Sequence, residues 1–543
     1  RGVIAPLMVL FAVAIAYLVS VRVVGWAGGA LGYAVPGELE PLMVVLLLGV
    51  VTDYAIFFLS SFRRRIGIGD PRLEAARTAV VDTGPIVVVA GVVVAVGTAT
   101  MAVAELEFFR VLGPGMGLTV LTGLVVSVTL IPALLAVFGR VLFWPTRIGH
   151  GATRPPRQLP HRRSSLFAAT RPRLVAPLVV VVCTAVLVAL GSGMSRTALG
   201  FTVIRGLGHD TEAQVAARAA AAGFAPGILA PTVLLLEEDE IVREPLELIR
   251  FEQLLEQQPG VAGVIGPREQ LVGVPLGAVL ARNGDAARYA LILDADPFGA
   301  PGIERLRRIQ RSLPGLLAEA GLSGATVSIG GNTALALQTV DTLRSDLLRI
   351  AVVALLANFV LLLAFLRAPV AALYLLGASV LGLAAALGLT TFVFQGLLGQ
   401  AELTYYVPFA AAVLLLSLGS DYTIFVAGRV WQEARGRPLR EAVAGAAAGA
   451  GSAVTAAGAA LALSFALLAI VPLDTFRTLA FALAAGVVLD AFVVRTVLVP
   501  ALIATVGERS RWPYGRFGLG EPACAAPTAP ASSGRAPIAA SQD

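Results

Sequence analysis

What most constrains this chain is a series of long apolar runs. A helix needs about 20 apolar residues to cross a hydrocarbon core about 30 Å thick, and ten stretches meet that measure: 2–24, 39–62, 84–104, 111–138, 174–194, 347–366, 370–393, 405–428, 451–472 and 478–505. A bilayer offers no water to backbone polar groups, so such runs are expected to fold as helices. The composition agrees, with 57% hydrophobic and 14% charged residues, too apolar for a soluble domain. All 41 basic residues are arginines, a bias that fits a GC-rich genome. Cys183 and Cys524 give no disulfide framework, and His150, His161 and His209 show no metal-ligand spacing. These counts disfavour disulfide-stapled, zinc-dependent and nucleic-acid-binding classes. No cofactor is implied, and no nucleophile motif or phosphate loop suggests an enzyme. The first run follows Arg1 with no signal peptide before it, which reads as an N-terminal truncation.

Arginines set the orientation, because cytoplasmic loops carry the positive excess. They follow the second span (Arg63, Arg64, Arg65), the fourth (Arg140 to Arg173), the sixth (Arg367), the eighth (Arg429 to Arg440) and the tenth (Arg509, Arg511). The opposite side receives the acidic connections with Glu38 and Glu40, Glu105 and Glu107, and Glu402, and also the long polar insertion 195–346. That insertion is expected to be an extracytoplasmic α+β domain. It has strands at 232–236, 287–294 and 325–330, and helices at 241–257, 302–320 and 332–350. The predicted layout is a four-span bundle (1–145), a cytoplasmic linker (146–173), an outward span (174–194), the inserted domain, a five-span bundle (347–513) and a disordered tail (514–543).

The two bundles repeat. Asp53-Tyr54 recurs as Asp421-Tyr422, with 421 − 53 = 368, and the same offset relates Ile56-Phe57 to Ile424-Phe425, Pro132-Ala133-Leu134 to Pro500-Ala501-Leu502 and Trp144-Pro145 to Trp512-Pro513. Both copies run from the outside to an arginine-rich end, so the repeat is parallel, with its axis along the membrane normal. The fold class is therefore a polytopic α-helical membrane protein with a parallel two-fold internal repeat and an extracytoplasmic domain. The second half has a domain and flanking spans that the first lacks, which is the second sign of truncation.

An aspartate in mid-membrane costs on the order of 2.5–3.5 kcal/mol on insertion scales, so it is functional by default. Asp53 and Asp421 are two such residues, each beside a tyrosine that can bias it between protonated and bare forms. The competing reading is a static hydrogen-bonded clamp between helices. The last span adds Asp490 and Arg495, whose counterparts in the first half are Thr122 and Ser127. Five residues at 3.6 per turn leave the two about 140° apart, which makes them poor partners. Depth along the span instead predicts an Arg495–Asp421 ion pair, with snorkelling of Arg495 to the cytoplasmic face as the alternative.

Several segments, Gly49-Val-Val-Thr-Asp53-Tyr54-Ala-Ile-Phe-Phe, Leu418-Gly-Ser-Asp421-Tyr422-Thr-Ile-Phe, Val454-Thr-Ala-Ala-Gly458 and Leu489-Asp490-Ala-Phe-Val-Val-Arg495-Thr-Val-Leu-Val-Pro500-Ala, resemble the mycobacterial membrane protein large (MMPL) transporters of the resistance-nodulation-division (RND) superfamily. Gly330-Gly-Asn-Thr-Ala-Leu-Ala resembles the return of that family's second porter domain to the membrane. The resemblance covers nearly all of 1–513, beginning at the family's third span. It implies twelve spans, two porter domains and proton-driven export of lipids or other hydrophobic compounds across the plasma membrane. Asp53, Tyr54, Asp421, Tyr422, Asp490 and Arg495 would form the proton relay. One departure stands out: the family often places a serine on the span after the first Asp-Tyr, where this chain has Val89-Ala90-Gly91, leaving Thr98, Thr100 or a water as substitutes. Two other functions compete with export. One is an RND-like lipid sensor without transport, and the other is a Sec-type accessory translocase, which ordinarily has six spans per chain. Expected partners are the membrane, a lipid or hydrophobic substrate, and a second copy or accessory proteins; cargo and oligomeric state stay open.

Overall fold

The computed structural model describes residues 4–37, 39–144, 175–200, 212–270, 278–433 and 455–512; the side chains at 213, 214, 217, 218, 221, 269, 270, 420–429, 431–433 and 511 are outside the described set. The linker 146–173 and tail 514–543 expected from composition also lie outside it.

The first half contains α1 (Ile4–Leu31), α2 (Leu39–Ile68), α3 (Arg72–Val103) and α4 (Glu107–Phe143), and α5 (Val175–Arg196) follows; all five are long and apolar enough to cross a membrane. A small α/β unit comes next. It contains β1 (Leu199–Gly200), α6 (Glu212–Gly223), β2 (Thr232–Glu237), α7 (Pro245–Glu256), β3 (Val261–Ile265), β4 (Ala286–Leu293), α8 (Ala300–Ala320) and β5 (Thr326–Gly330). Its sheet has the order β3-β4-β2-β5, each neighbouring pair antiparallel. Alternation along β2 and β4 buries Leu234, Leu236, Tyr289 and Leu291 against Phe251 of α7 and Ile303 and Leu306 of α8. Burial, and secondarily the Glu252 carboxylate, pushes the Tyr289 phenol well above its usual value, so it stays protonated and donates to the Leu248 carbonyl at 3.1 Å. Sequence reading overlooked β3, which is short and carries a bulge between Val261 and Gly263.

The second half opens with α9 (Asn332–Leu366), a single helix of 35 residues. It joins the expected helix 332–350 to the expected span 347–366 without a break. It ends where Arg367 adopts φ +50°, and Pro369 starts α10 (Pro369–Leu397) in the first-turn position that proline favours. β6 (Leu403–Thr404) pairs in parallel with β1, and α11 (Tyr406–Glu433), α12 (Thr455–Ile470) and α13 (Asp474–Ser510) complete the chain. Of these, α9, α10 and α13 pass the length and hydropathy test, giving eight candidate spans among the described residues. α11 and α12 are apolar over shorter described stretches.

Residues of both halves share one core, in which Val50, Val51 and Tyr54 of α2 belong with Leu414, Leu418 and Leu461. The two bundles also end alike. Near their ends α4 and α13 each reach a glycine of positive φ, Gly139 at +54° and Gly507 at +64°, with 507 − 139 = 368, and each glycine begins a short closing 3-10 turn.

Candidate functional site

Asp53 and Tyr54 sit near the middle of α2, 3% and 1% exposed. Gly49, one turn earlier, lets α2 approach α12 so closely that a Cβ there would collide with Leu461. On the partner half, a Cβ at Gly97 of α3 would lie 2.5 Å from the Ser417 hydroxyl of α11. Small residues at such crossings allow backbones to pack tightly in a membrane. Asp421 and Tyr422 lie on α11 as the repeat predicts, but their side chains are outside the described set.

Asp490 and Arg495 overturn an expectation. Residues Leu489–Leu498 of α13 form a π-helix, in which hydrogen bonds run five residues apart, so that positions i and i+5 fall on nearly the same face, one turn apart. The 140° separation assumed for a regular α-helix does not exist here. The Arg495 Nε donates to Asp490 Oδ2 at 2.5 Å, and its Nη2 is ion-paired to the same oxygen. Thr496 marks the same register by donating to Ala491 O, five residues back, at 2.6 Å. Arg495 is 2% exposed, so it points inward and does not snorkel. Its Nη2 also donates to the carbonyl of Gly419, two residues before Asp421 on α11. The depth argument thus led to the right helix, whereas the carboxylate held among the described side chains is that of Asp490. An Arg495–Asp421 pair falls outside the described side chains.

Around this pair the helices are closely joined. A Cβ at Gly458 would lie 2.6 Å from Ala491, and one at Gly486 would collide with Leu415. A small cavity lined by Leu415, Leu418, Gly419, Leu461 and Asp490 has room for about one water molecule. Asn358 of α9, buried and overlooked in the sequence, donates from Nδ2 to the Leu416 carbonyl of α11 at 3.3 Å. Its signal is a lone amide in an apolar span, with no formal charge to mark it. The two threonines proposed as substitutes for a missing serine spend their hydrogens on their own backbone. Thr98 Oγ1 is 3.0 Å from the carbonyls of Val94 and Ala95, and Thr100 Oγ1 donates to Gly97 O at 2.6 Å.

Two buried carboxylates tie the bundle to the α/β unit. Asp346 of α9 accepts the amides of Glu105 and Leu106 at 2.8 and 2.9 Å, just before α4 begins, and Arg349 one turn later pairs with Glu105. Glu402, before α11, accepts the Ala300 amide at the start of α8. Both place negative charge at a helix N-terminus, where it is stabilised.

The described arrangement is a buried acid within α2 and, on α13, a second acid ion-paired to a buried arginine. Such a set can hold and release protons out of contact with water. Comparison with known proteins gives three results. The MMPL family matches residues 1–175 and 252–523. A membrane protein of Streptomyces coelicolor is 30% identical over 94% of this chain and 59% of its own length, and the apo-petrobactin exporter of Bacillus anthracis is 26% identical over 94% and 68%. The sulfolipid-1 exporter of Mycobacterium tuberculosis is 34% identical over 43% of this chain and 21% of its own length. Among solved structures, SecDF in its super-membrane-facing form aligns with 92% of this chain and 60% of that one, with a TM-score of 0.51 and 15% identity, a likeness of fold. The chain thus spans about three fifths of the length of the Streptomyces relative.

Proposed function

Since the chain belongs to the MMPL family of RND-type membrane transporters, we propose that it exports lipids or other hydrophobic compounds across the plasma membrane at the expense of the proton gradient. Two relatives are named as exporters, one of sulfolipid-1 and one of apo-petrobactin. The observation that carries the proton-driven reading is the buried charge set, Asp53 within α2 and the Asp490–Arg495 pair that reaches Gly419 beside Asp421. One charge crossing the membrane potential yields about 2.3 kcal/mol per 100 mV, enough to favour one of two helix arrangements.

In this reading the halves are parallel repeats, and the matched glycine ends of α4 and α13 support that. So do the two crossings Gly49–Leu461 and Ser417–Gly97, in which Gly49 and Ser417 are equivalent (417 − 49 = 368). Asp53 with Tyr54 and Asp421 with Tyr422 take up and release protons, Asp490 and Arg495 balance charge beside the second site, and the α/β unit stands on the outer side, where it receives cargo. The test is export in cells carrying D53N or D421N, with cargo identified as the lipid that accumulates inside a deletion strain. Each variant is expected in the membrane at normal level with export abolished. Export at the wild-type rate by either would overturn the proposal.

A further inference from the structure

Ser127 of α4 is fully buried, and its hydroxyl has no hydrogen-bond partner. A helical serine or threonine ordinarily satisfies itself on the carbonyl three or four residues back. In this bundle Thr98, Thr119, Thr122, Thr129, Ser464 and Thr478 all do so. A hydroxyl buried and unbonded is costly, so the place it occupies calls for an explanation.

That place is set by helix register. A Cβ at Gly115 would meet Leu39 at 3.0 Å, and one at Gly123 would meet Leu47 at 2.8 Å, so the offset between α4 and α2 is constant (115 − 39 = 123 − 47 = 76). Gly123 also faces Val51 at 3.3 Å. The two helices run parallel, and Ser127, one turn beyond Gly123 on the same face, is level with Val51, one turn before Tyr54. Leu47, Val51 and Tyr54 are spaced four and three apart, a single stripe of α2 turned toward α4. Ser127 is also the position equivalent to Arg495 (495 − 127 = 368). The two halves therefore differ here: the second carries a donor-only cation fixed to Asp490, whereas the first carries a neutral hydroxyl that can donate or accept. Within 4–21 of α1, 84–103 of α3, 111–138 of α4 and 455–470 of α12, the only ionisable side chain is Tyr17; toward the end of α2, Asp82 of α3 pairs with Arg65. The charged groups within the apolar runs of α11 and α13 are Asp421, Asp490 and Arg495.

We propose that Ser127 is a positioning residue for Tyr54, an inference that rests on the proton-relay reading above. When the phenol hydrogen of Tyr54 is given to a bare carboxylate of the relay, Ser127 Oγ is left unbonded, as the structure holds it. When that carboxylate has gained its proton, the phenol turns and gives its hydrogen to Ser127 Oγ. Neither hydroxyl loses a proton; the phenol hydrogen changes acceptor, and the single proton taken up resides on the carboxyl group.

The test is a pH titration by infrared difference spectroscopy of the full chain in lipid vesicles, following the protonated-carboxyl band that D53N or D421N removes. S127A is expected to move the midpoint of that band by about one pH unit, S127T to leave it in place, and S127A to add nothing in a Y54F background. The inference is overturned if S127A titrates as wild type, if S127T behaves as S127A, or if the shift persists in Y54F. If neither D53N nor D421N removes a titrating band, the relay reading itself fails and this inference falls with it.

Discussion

Arg495 is a full charge held away from water, and it keeps that position because its hydrogen bonds go to Asp490 and to the Gly419 carbonyl. Removing one member of such a pair leaves the other uncompensated. R495M is therefore expected to lose about 3–5 kcal/mol of stability, while the double variant R495M/D490L recovers most of it. Thermal unfolding in detergent measures both, and a midpoint for R495M equal to wild type would show that the pair contributes nothing. At this scale the sequence was legible wherever charge marked the residue: Asp53 and Arg495 lie buried within helices and Asp490 is half-buried, as their placement in apolar runs predicted. Uncharged polar residues were not. Asn358 and Ser127 differ from their apolar neighbours only by a group whose importance depends on what lies opposite, and that is settled by packing between helices distant in the chain.

Among the elements, the least legible was the π-helix at Leu489–Leu498. Hydropathy fixes that a segment is helical but not which carbonyl each amide chooses, and a shift from the fourth to the fifth residue changes which side chains meet. The equivalent stretch of α4 lies in an ordinary α-helix, so two segments of matching apolar pattern adopt different registers. The α/β unit was read nearly strand for strand because its alternation is strong in β2 and β4, and it failed at β3, where a bulge breaks the alternation. Helix crossings were invisible until partners were known. α5 meets α10 where a Cβ at Gly388 would collide with the backbone carbonyl of Leu190, and a Cβ at Gly193 would lie 2.6 Å from the Gly388 carbonyl. Backbone cannot move aside as a side-chain tip can. G388A is expected to cost about 1–3 kcal/mol, read as a lowered unfolding midpoint, with G377A, which meets nothing within 4 Å, as the neutral control.

For the whole molecule, the question is how the α/β unit and the bundle move together. Asp346 and Glu402 answer for the junction, each capping a helix that belongs to the other part. Loss of a capping carboxylate typically costs about 1 kcal/mol, so D346A is expected to lower stability by roughly that amount and to lower export far more than stability alone explains. Comparing transport with the amount of folded protein separates the two, and a loss of export that only tracks the loss of protein would leave Asp346 a simple cap. Apolar runs alone could not have located this junction, because it is made by residues at the ends of spans. α9 carries the further consequence. At 1.5 Å per residue its length is about 52 Å. The anchor at Asp346 divides it into arms of roughly 21 Å on the sheet side and 30 Å toward Leu366. Asp346 is thus the fulcrum of a lever with unequal arms: any tilt about it carries the far end at Leu366 nearly half as far again as the sheet end, so a small displacement of the sheet is geared up at the end of the span.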